Sequence, residues 1–280
     1  MISDPERILF CVDSDGCVFD NMRWKHEVPF LTALLDVFRL HDHKEWVTDL
    51  WLEINLYSVT RGTTRFWAIA TFLNRVWKKE ASGAGSALPG SPEEYIRFME
   101  NPANRNAEAI QRQLATSGGD PCFELVLRWH AEVNRRILES GVSPQPFTGT
   151  LETLRLMASL GEVHVVSLTP HDLLISDWTE AGLMPHVTKI LGQEFGSKAE
   201  QVEAARKGRT IQTLLVGDAP GDEKAALSAN CDFFPTIPSR EVESWKELNQ
   251  FLVSMQSTGD PLDAAILQGH VDCFHQTLGF

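Results

Sequence analysis

Two aspartates, Asp13 and Asp15, follow directly after an apolar run near the beginning of the chain. A second pair, Asp218 and Asp222, follows another apolar run in the segment GDAPGD. Carboxylates this close repel one another, so one pKa rises and stability is lost unless a cation or a shared proton compensates. Oxygen ligands without a nearby histidine or cysteine favour Mg2+. The two acidic segments therefore predict a magnesium site if they are neighbours in the fold.

A bound anion beside such a metal would also need a basic partner and a hydroxyl group. Lys198, in FGSKAEQV, comes just before a predicted helix and is the leading candidate for the base. Ser167, in VVSLTP, follows a third apolar run, and Thr169 in the same segment is an alternative hydroxyl. Taken singly, such residues are more often a surface lysine and a strand serine than ligands. Their order relative to the aspartates favours the functional interpretation.

The elements that must position these residues are short, β-branched apolar runs separated by helical patterns. Such runs are typical of buried parallel strands in an α/β sheet. Ligands of such sheets collect at the carboxyl ends of the strands, so we expect the acids and the hydroxyl to converge there. The predicted strands are residues 8–12, 163–168, 211–216 and 231–234.

The stretch from residue 21 to residue 145 has a different pattern. Tryptophan and leucine recur there at spacings of three and four, with hardly a β-like run, which predicts a helical insertion. The predicted domains are an α/β core made of residues 1–20 and 146–256, a helical cap at 21–145 and a helical tail at 257–280. The patterns give no purpose for the tail.

The composition limits which binding partners and which cellular compartment we expect. The 280 residues include 38 acidic and 25 basic side chains, a formal net charge of −13, which disfavours nucleic acid and anionic membrane surfaces as partners. Five scattered cysteines without a CxxC spacing argue against a disulfide framework and a zinc site. With no signal pattern and no long apolar segment, we expect a cytoplasmic protein. Monomer and homodimer both stay open.

Four segments, in this order, resemble the motifs of the haloacid dehalogenase superfamily. They are Asp13-Ser14-Asp15-Gly16-Cys17-Val18, Ser167 in VVSLTP, Lys198, and Gly217-Asp218 through Asp222. The resemblance implies a Rossmann-like, three-layer parallel sheet core with an inserted all-helical cap of the C1 type. Cys17 is a departure, because the family usually has threonine or valine there; a small buried thiol fits the same space.

The resemblance also implies roles for the motif residues. Asp13 would attack phosphorus and Asp15 would serve as general acid and base, while Ser167 and Lys198 would clamp the phosphate. The implied metal ligands are Asp13, the main-chain carbonyl of Asp15, Asp218 and, through water or Lys198, Asp222.

The implied activity is Mg2+-dependent hydrolysis of a small phosphorylated metabolite. Family members that break carbon–halogen or carbon–phosphorus bonds generally lack an acid at the position of Asp15, so its presence favours phosphate monoesters. One alternative is a phosphomutase of the β-phosphoglucomutase kind, and another is a catalytically silent ligand-binding regulatory protein.

The predicted cap supplies polar candidates for contact with the substrate, namely Lys25, His26, Asn55, Arg61 and Arg65. Arg61 and Arg65 are spaced i, i+4 on a predicted helix and would suit a second anionic group on the substrate. A solvated or salt-bridged helix face explains this arginine pair at least as well. His26 also suits a packing role at the beginning of a helix.

Overall fold

The computed structural model of the protein describes residues 8–79, 88, 91–117, 120–258 and 264–280. These residues form two compact units. The sheet unit comprises the described residues up to Met22 together with those from Ser143 onward. The helical unit comprises the described residues from Arg23 to Val142.

The sheet unit is built on five parallel strands in the order β3-β2-β1-β4-β5. The strands are β1 (Ile8–Val12), β2 (Gly161–Val166), β3 (Lys189–Leu191), β4 (Thr213–Gly217) and β5 (Asp232–Pro235). The central strand is β1, in which Val12 pairs with Val165 of β2 and Val216 of β4. The predicted α/β class with a parallel sheet is therefore confirmed.

Helices cover both faces of this sheet. They are α8 (Thr150–Leu160), α9 (His171–Glu180), α10 (Lys198–Arg206), α11 (Pro220–Ser228), α12 (Glu241–Thr258) and α13 (Ala264–Leu278). Side chains alternate along a strand, so Phe10 belongs to one hydrophobic cluster while Leu9 and Cys11 belong to the cluster on the opposite face. Burial on both faces explains why the run 8–12 is apolar throughout.

The strand bounds differ from the prediction in detail. The second strand begins at Gly161 and ends at Val166, so Ser167 is the first residue beyond it. The sequence did not predict β3, which has only three residues and is followed at once by a 3₁₀ turn, Gln193–Phe195. Three residues are too few for alternation or β-branched enrichment to be recognised.

The helical unit contains no strand among its described residues, as the prediction of an all-helical insertion requires. Its α-helices are α1 (Met22–Lys25, which begins one residue before the unit), α2 (Leu31–Phe38), α3 (Lys44–Leu56), α4 (Arg65–Lys79), α5 (Glu93–Met99), α6 (Ala107–Ser117) and α7 (Pro121–Ser140). Trp51 and Trp129 are fully buried in its core, with ring centroids 5.8 Å apart. The Trp129 indole donates to the carbonyl of Phe30 at 3.2 Å, so its polar atom is satisfied.

The last helix, α13, packs against strand β5 of the sheet unit. Leu267, Phe274 and Leu278 are buried there, and the rings of Phe274 and Phe233 meet edge to face at 5.9 Å. The helix in the segment predicted as a tail therefore covers part of the edge strand β5. Among the helices of the described residues, none combines the length and the apolar character that a membrane span needs.

We expect Phe274→Ala to lower the free energy of unfolding by about 3–5 kcal/mol, because it removes a fully buried ring and leaves a cavity against β5. Ile266→Ala is the matched control on the same helix, where the side chain is 45% exposed and the expected change is within about 0.5 kcal/mol. Urea titration followed by circular dichroism measures both values. Equal, small losses would mean that α13 does not contribute to the sheet unit's stability.

Candidate active site

Asp13 is the first residue after β1, and its side chain is 8% exposed. Its N–H group donates to the carbonyl of Val216 in β4 at 2.9 Å, which extends the pairing of the two strands by one residue. Because β4 lies directly beside β1 and runs parallel to it, Asp218 and Asp13 lie at the same carboxyl end of the sheet. The two acidic segments are therefore neighbours, as the predicted magnesium site requires.

The local sequence of the second acidic segment fixes the position of Asp222. A Cβ atom on Gly217 would lie 2.4 Å from Asp222 Cγ, so only glycine fits at that position. Pro220 begins α11, where a missing N–H group and a fixed φ are favourable. The Asp222 carboxylate accepts from the N–H group of Ala219 at 3.1 Å and is fully buried.

Three buried carboxylates converge at the carboxyl ends of β1 and β4. One oxygen from each of Asp13, Asp218 and Asp222 lies within 4.8 Å of the other two. Hard oxygen donors of this kind, close together and shielded from water, can hold a divalent cation such as Mg2+. The carboxylate of Asp15, by contrast, is held by Asn21 and Thr169.

Lys198 supplies a positive charge to this cluster. Its Nζ lies 2.8 Å from Asp13 Oδ2 and also donates to Asp222 Oδ1. The lysine is the first residue of α10, which begins with a capping box between Ser197 and Glu200. The capping box fixes the start of the helix, so the lysine projects from a defined point.

The ionisation of these groups is coupled. Burial raises the pKa of Asp13, with Asp222 and Asp218 adding to the rise, while the neighbouring Lys198 ammonium opposes it. Burial lowers the pKa of Lys198, but Asp13 and Asp222 outweigh that effect and the net shift is upward. The lysine therefore stays charged, and the carboxylates depend on positive charge to stay ionised together.

Asp15 is held in one orientation by two donors. The amide of Asn21 donates to its Oδ1, and the hydroxyl of Thr169 donates to its Oδ2 at 3.0 Å. Gly16, with φ of 76°, turns the chain between Asp15 and Asn21, and its N–H group donates to Asn21 Oδ1 at 3.3 Å. The position of the Asp15 carboxylate is therefore fixed through both of its oxygens.

Two buried indoles anchor the loop that follows Asp13. Trp178 donates to the Ser14 hydroxyl at 3.0 Å, and Trp245 donates to the carbonyl of Cys17 at 2.8 Å. The Cys17 thiol approaches the carbonyl of Val216 at 3.7 Å, as a hydroxyl donor would. Burial raises the pKa of this thiol well above its usual value, with Asp13 adding to the rise, so Cys17 is protonated and is not a nucleophile.

Ser167 lies at the end of β2 and is 3% exposed. Its hydroxyl accepts from the N–H group of Thr169 at 3.1 Å, so a short turn connects the two hydroxyl residues. Thr169, weighed from the sequence as an alternative to Ser167, instead contacts Asp15. The hydroxyl groups of Ser167 and Thr169 therefore have different hydrogen-bond partners, the N–H group of Thr169 and the carboxylate of Asp15.

The five cap candidates lie in the helical unit, and their substrate contacts stay predictions. Lys25 is the last residue of α1. His26 is buried and packs on the ring of Phe30, with centroids 4.9 Å apart. Asn55 is also buried, and its amide donates to the carbonyl of Trp51 at 2.8 Å.

The prediction that Arg61 and Arg65 share a helix face is wrong. Gly62 adopts φ of 71°, which interrupts a helix, and α4 begins only at Arg65. Arg61 is 3% exposed, lies in the preceding turn and donates to the carbonyl of Leu56 at 3.0 Å. Arg65 donates to Asn134 Oδ1 at 2.7 Å.

Comparison with known proteins gives matches only among solved structures. No family model matches the chain, and no curated protein matches its sequence.

Three solved structures illustrate the matches. A protein described as a predicted phosphoglycolate phosphatase from Haemophilus somnus is 16% identical, covers 83% of this chain and 86% of its own, and has a TM-score of 0.47. A haloacid dehalogenase-like hydrolase from Streptococcus pneumoniae is 12% identical, with coverages of 86% and 91% and a TM-score of 0.42. The L-2-haloacid dehalogenase from Xanthobacter autotrophicus is 15% identical, with coverages of 93% and 86% and a TM-score of 0.40.

At such identities the similarity does not extend to substrate or reaction. The α/β fold class follows from the sheet order itself and does not depend on them.

We expect Lys198→Met to lower the free energy of unfolding by about 3–5 kcal/mol in the presence of a chelator, because the buried carboxylates of Asp13 and Asp222 lose the ammonium group that pairs with both. Lys224→Met, which changes an exposed lysine of α11, is the matched control. Denaturant titration at neutral pH measures both. Equal stability of the two variants would contradict a stabilising role for the buried ammonium.

Proposed function

We propose that the chain is a Mg2+-dependent phosphatase of the haloacid dehalogenase type, acting on a small phosphorylated metabolite. The observation that carries this proposal is the carboxylate of Asp13, which lies 2.8 Å from the ammonium of Lys198, whose side chain is 12% exposed, and within 4.8 Å of two further buried acids. Asp15 lies two positions after Asp13 in the sequence. Candidates for a nucleophile, a proton carrier, a phosphate clamp and a set of metal ligands are thus available at the carboxyl ends of the parallel strands.

The donor set fits magnesium. Asp13, Asp218 and Asp222 offer hard oxygen atoms at a spacing that one small cation could bridge, and the main-chain carbonyl of Asp15 is the further ligand that the family resemblance implies. A bound Mg2+ would supply positive charge that reduces the repulsion between the attacking carboxylate and the phosphate oxygens. Asp222, which pairs with Lys198, would support the other ligands and orient that lysine.

In the first half-reaction a carboxylate oxygen of Asp13 attacks the phosphorus atom. The new bond to Asp13 forms as the ester P–O bond breaks, and the leaving oxygen takes a proton from the carboxyl group of Asp15. The product alcohol then leaves, and the phosphoryl group stays on Asp13 as an aspartyl phosphate.

In the second half-reaction Asp15, now ionised, accepts a proton from water, whose oxygen attacks the phosphorus. The bond to Asp13 breaks, free phosphate is released and both carboxyl groups return to their starting states. The hydrogen bonds from Asn21 and Thr169 would hold the Asp15 carboxylate in place for this step. To act as an acid beforehand, Asp15 must take up a proton, which its carboxyl group can hold while it keeps acceptor capacity for these donors.

Lys198 and Ser167 would bind the transferring phosphoryl group. The lysine already carries a fixed charge at the nucleophile, so it can stabilise charge that develops on the phosphoryl oxygens without reorganising. The hydroxyl of Ser167 lies at the end of the neighbouring strand β2 and would donate to one of the same oxygens.

Asp15 favours phosphate monoesters over carbon–halogen bonds, because cleavage of an ester needs a proton for the leaving oxygen and release of a halide does not. A phosphomutase would use the same residues, with a substrate hydroxyl taking the place of water. Transfer of phosphate between positions without release of free phosphate would select that alternative. Tight ligand binding with no turnover under any metal would select the silent regulatory protein.

We expect phosphate release from a panel of phosphorylated metabolites with Mg2+, and loss of that release when the metal is chelated. Asp13→Asn should abolish turnover and keep the fold, because an amide cannot form the acyl phosphate. Asp20→Asn, which changes an exposed aspartate in the same loop, is the matched control. A colorimetric assay of free phosphate measures all of these, and full activity of Asp13→Asn would remove Asp13 as the nucleophile.

We expect Asp15→Asn to lower kcat by about 10²–10⁴, because it removes both the proton donor and the general base. With a substrate whose leaving group is a weak base, such as a nitrophenyl phosphate, the first half-reaction should lose less, because it needs less help from an acid. Single-turnover and steady-state kinetics separate the two half-reactions. A loss of less than about tenfold with both substrates would count against this role.

A further inference from the structure

Gln201 is fully buried in α10, three residues after Lys198. Its Nε2 lies 3.0 Å from each of three backbone carbonyl oxygens, those of Ser167, Gly192 and Gly196. Its Oε1 has no hydrogen-bond partner among the described residues. The side chain therefore acts as a donor group, and the two hydrogens of its amide are shared among three carbonyl oxygens of two loops.

Those two loops contain or lead into residues of the candidate site. The first loop, 167–170, follows β2 and contains Ser167 and Thr169, the latter bonded to Asp15. The second loop, 192–197, follows β3 and leads directly into Lys198. They meet through one backbone hydrogen bond, from the N–H group of Gln193 to the carbonyl of Thr169 at 3.1 Å.

Two of the three carbonyls need a buried donor at this point. Ser167 and Gly192 are buried, so little water is available to satisfy their carbonyls, whereas the hydrogen bond to Gly196 joins Gln201 to an exposed part of the second loop. An amide supplies two hydrogens at the end of a side chain that is anchored in a helix. A glutamate of the same shape would instead direct carboxylate oxygens at the three carbonyls.

From this geometry we propose that Gln201 is a positioning residue, which sets the distance between the hydroxyl of Ser167 and the ammonium of Lys198 through its hydrogen bonds to both loops. This inference rests on the proposed function, because this hydroxyl and this ammonium are the proposed phosphate clamp. Gln201 itself would touch neither the aspartates nor the phosphate. Its effect on the reaction is exerted through the two loops.

The test compares Gln201→Glu and Gln201→Met with Arg206→Met. The arginine is the matched control because it lies at the other end of the same helix and also donates to backbone carbonyls, those of Ala229 and Asn230. Hydrogen–deuterium exchange reports the order of each loop without any assumption about the reaction. Calorimetry with inorganic phosphate and Mg2+ reports the clamp.

We expect both Gln201 variants to bind inorganic phosphate at least tenfold more weakly than the wild type, with faster amide exchange in 167–170 and 192–197. Arg206→Met should bind phosphate within twofold of the wild type and change exchange only near its own carbonyl partners. Unchanged phosphate affinity in the Gln201 variants, or an equal loss in Arg206→Met, would overturn the proposal. Failure of both Gln201 variants to fold while Arg206→Met folds would also overturn it, because the residue would then serve the fold and not the site.

The two readouts separate this proposal from the proposed function. Wild-type protein that binds no phosphate and releases none would contradict the phosphatase. The exchange rates would still decide whether Gln201 holds the two loops together.

Discussion

The site depends on one electrostatic constraint: buried carboxylates of Asp13 and Asp222 share one ammonium group, that of Lys198. Removing charges from water is expensive, and a buried ion pair is stable only where the geometry is good and further hydrogen bonds satisfy the remaining groups. With Asp218 included, the acids still outnumber the lysine. The imbalance makes the site receptive to additional positive charge, which is the property that a metal-dependent phosphoryl transfer needs.

The backbone supplies the geometry that this constraint requires. The order β2-β1-β4 brings three strand ends together, and the missing side chain of Gly217 leaves room for Asp222. Indole groups of Trp178 and Trp245 hold the loop after Asp13 through hydrogen bonds that connect it to two helices of the sheet unit. Most of these contacts join residues distant in sequence, so the charges are fixed by the fold as a whole and not by a local motif.

Sequence reasoning could predict the parts of this arrangement that have a local signature. The run before Asp13 and the GDAPGD segment identify β1 and β4, because a strand buried on both faces must be apolar throughout. Strand β3 is too short for any pattern. Gln201 and Asn21 were missed because a polar residue in a helix or loop normally faces water, and only the tertiary fold shows which carbonyls or carboxylates it meets. The prediction that Arg61 lies on a helix with Arg65 was wrong for a related reason, since the turn at Gly62 overrides the helical spacing.

The central position of β1 has a consequence for synthesis on the ribosome. This strand is made before both of its partners, β2 and β4, and the entire helical unit lies between them in the chain. At about 5–20 residues per second, the apolar segment Ile8–Val12 waits many seconds before either neighbour exists. During that interval it is an unpaired strand with no charge of its own. An apolar strand without a neighbour can pair with other chains, so the nascent protein is open to aggregation at this segment until the sheet can close around it.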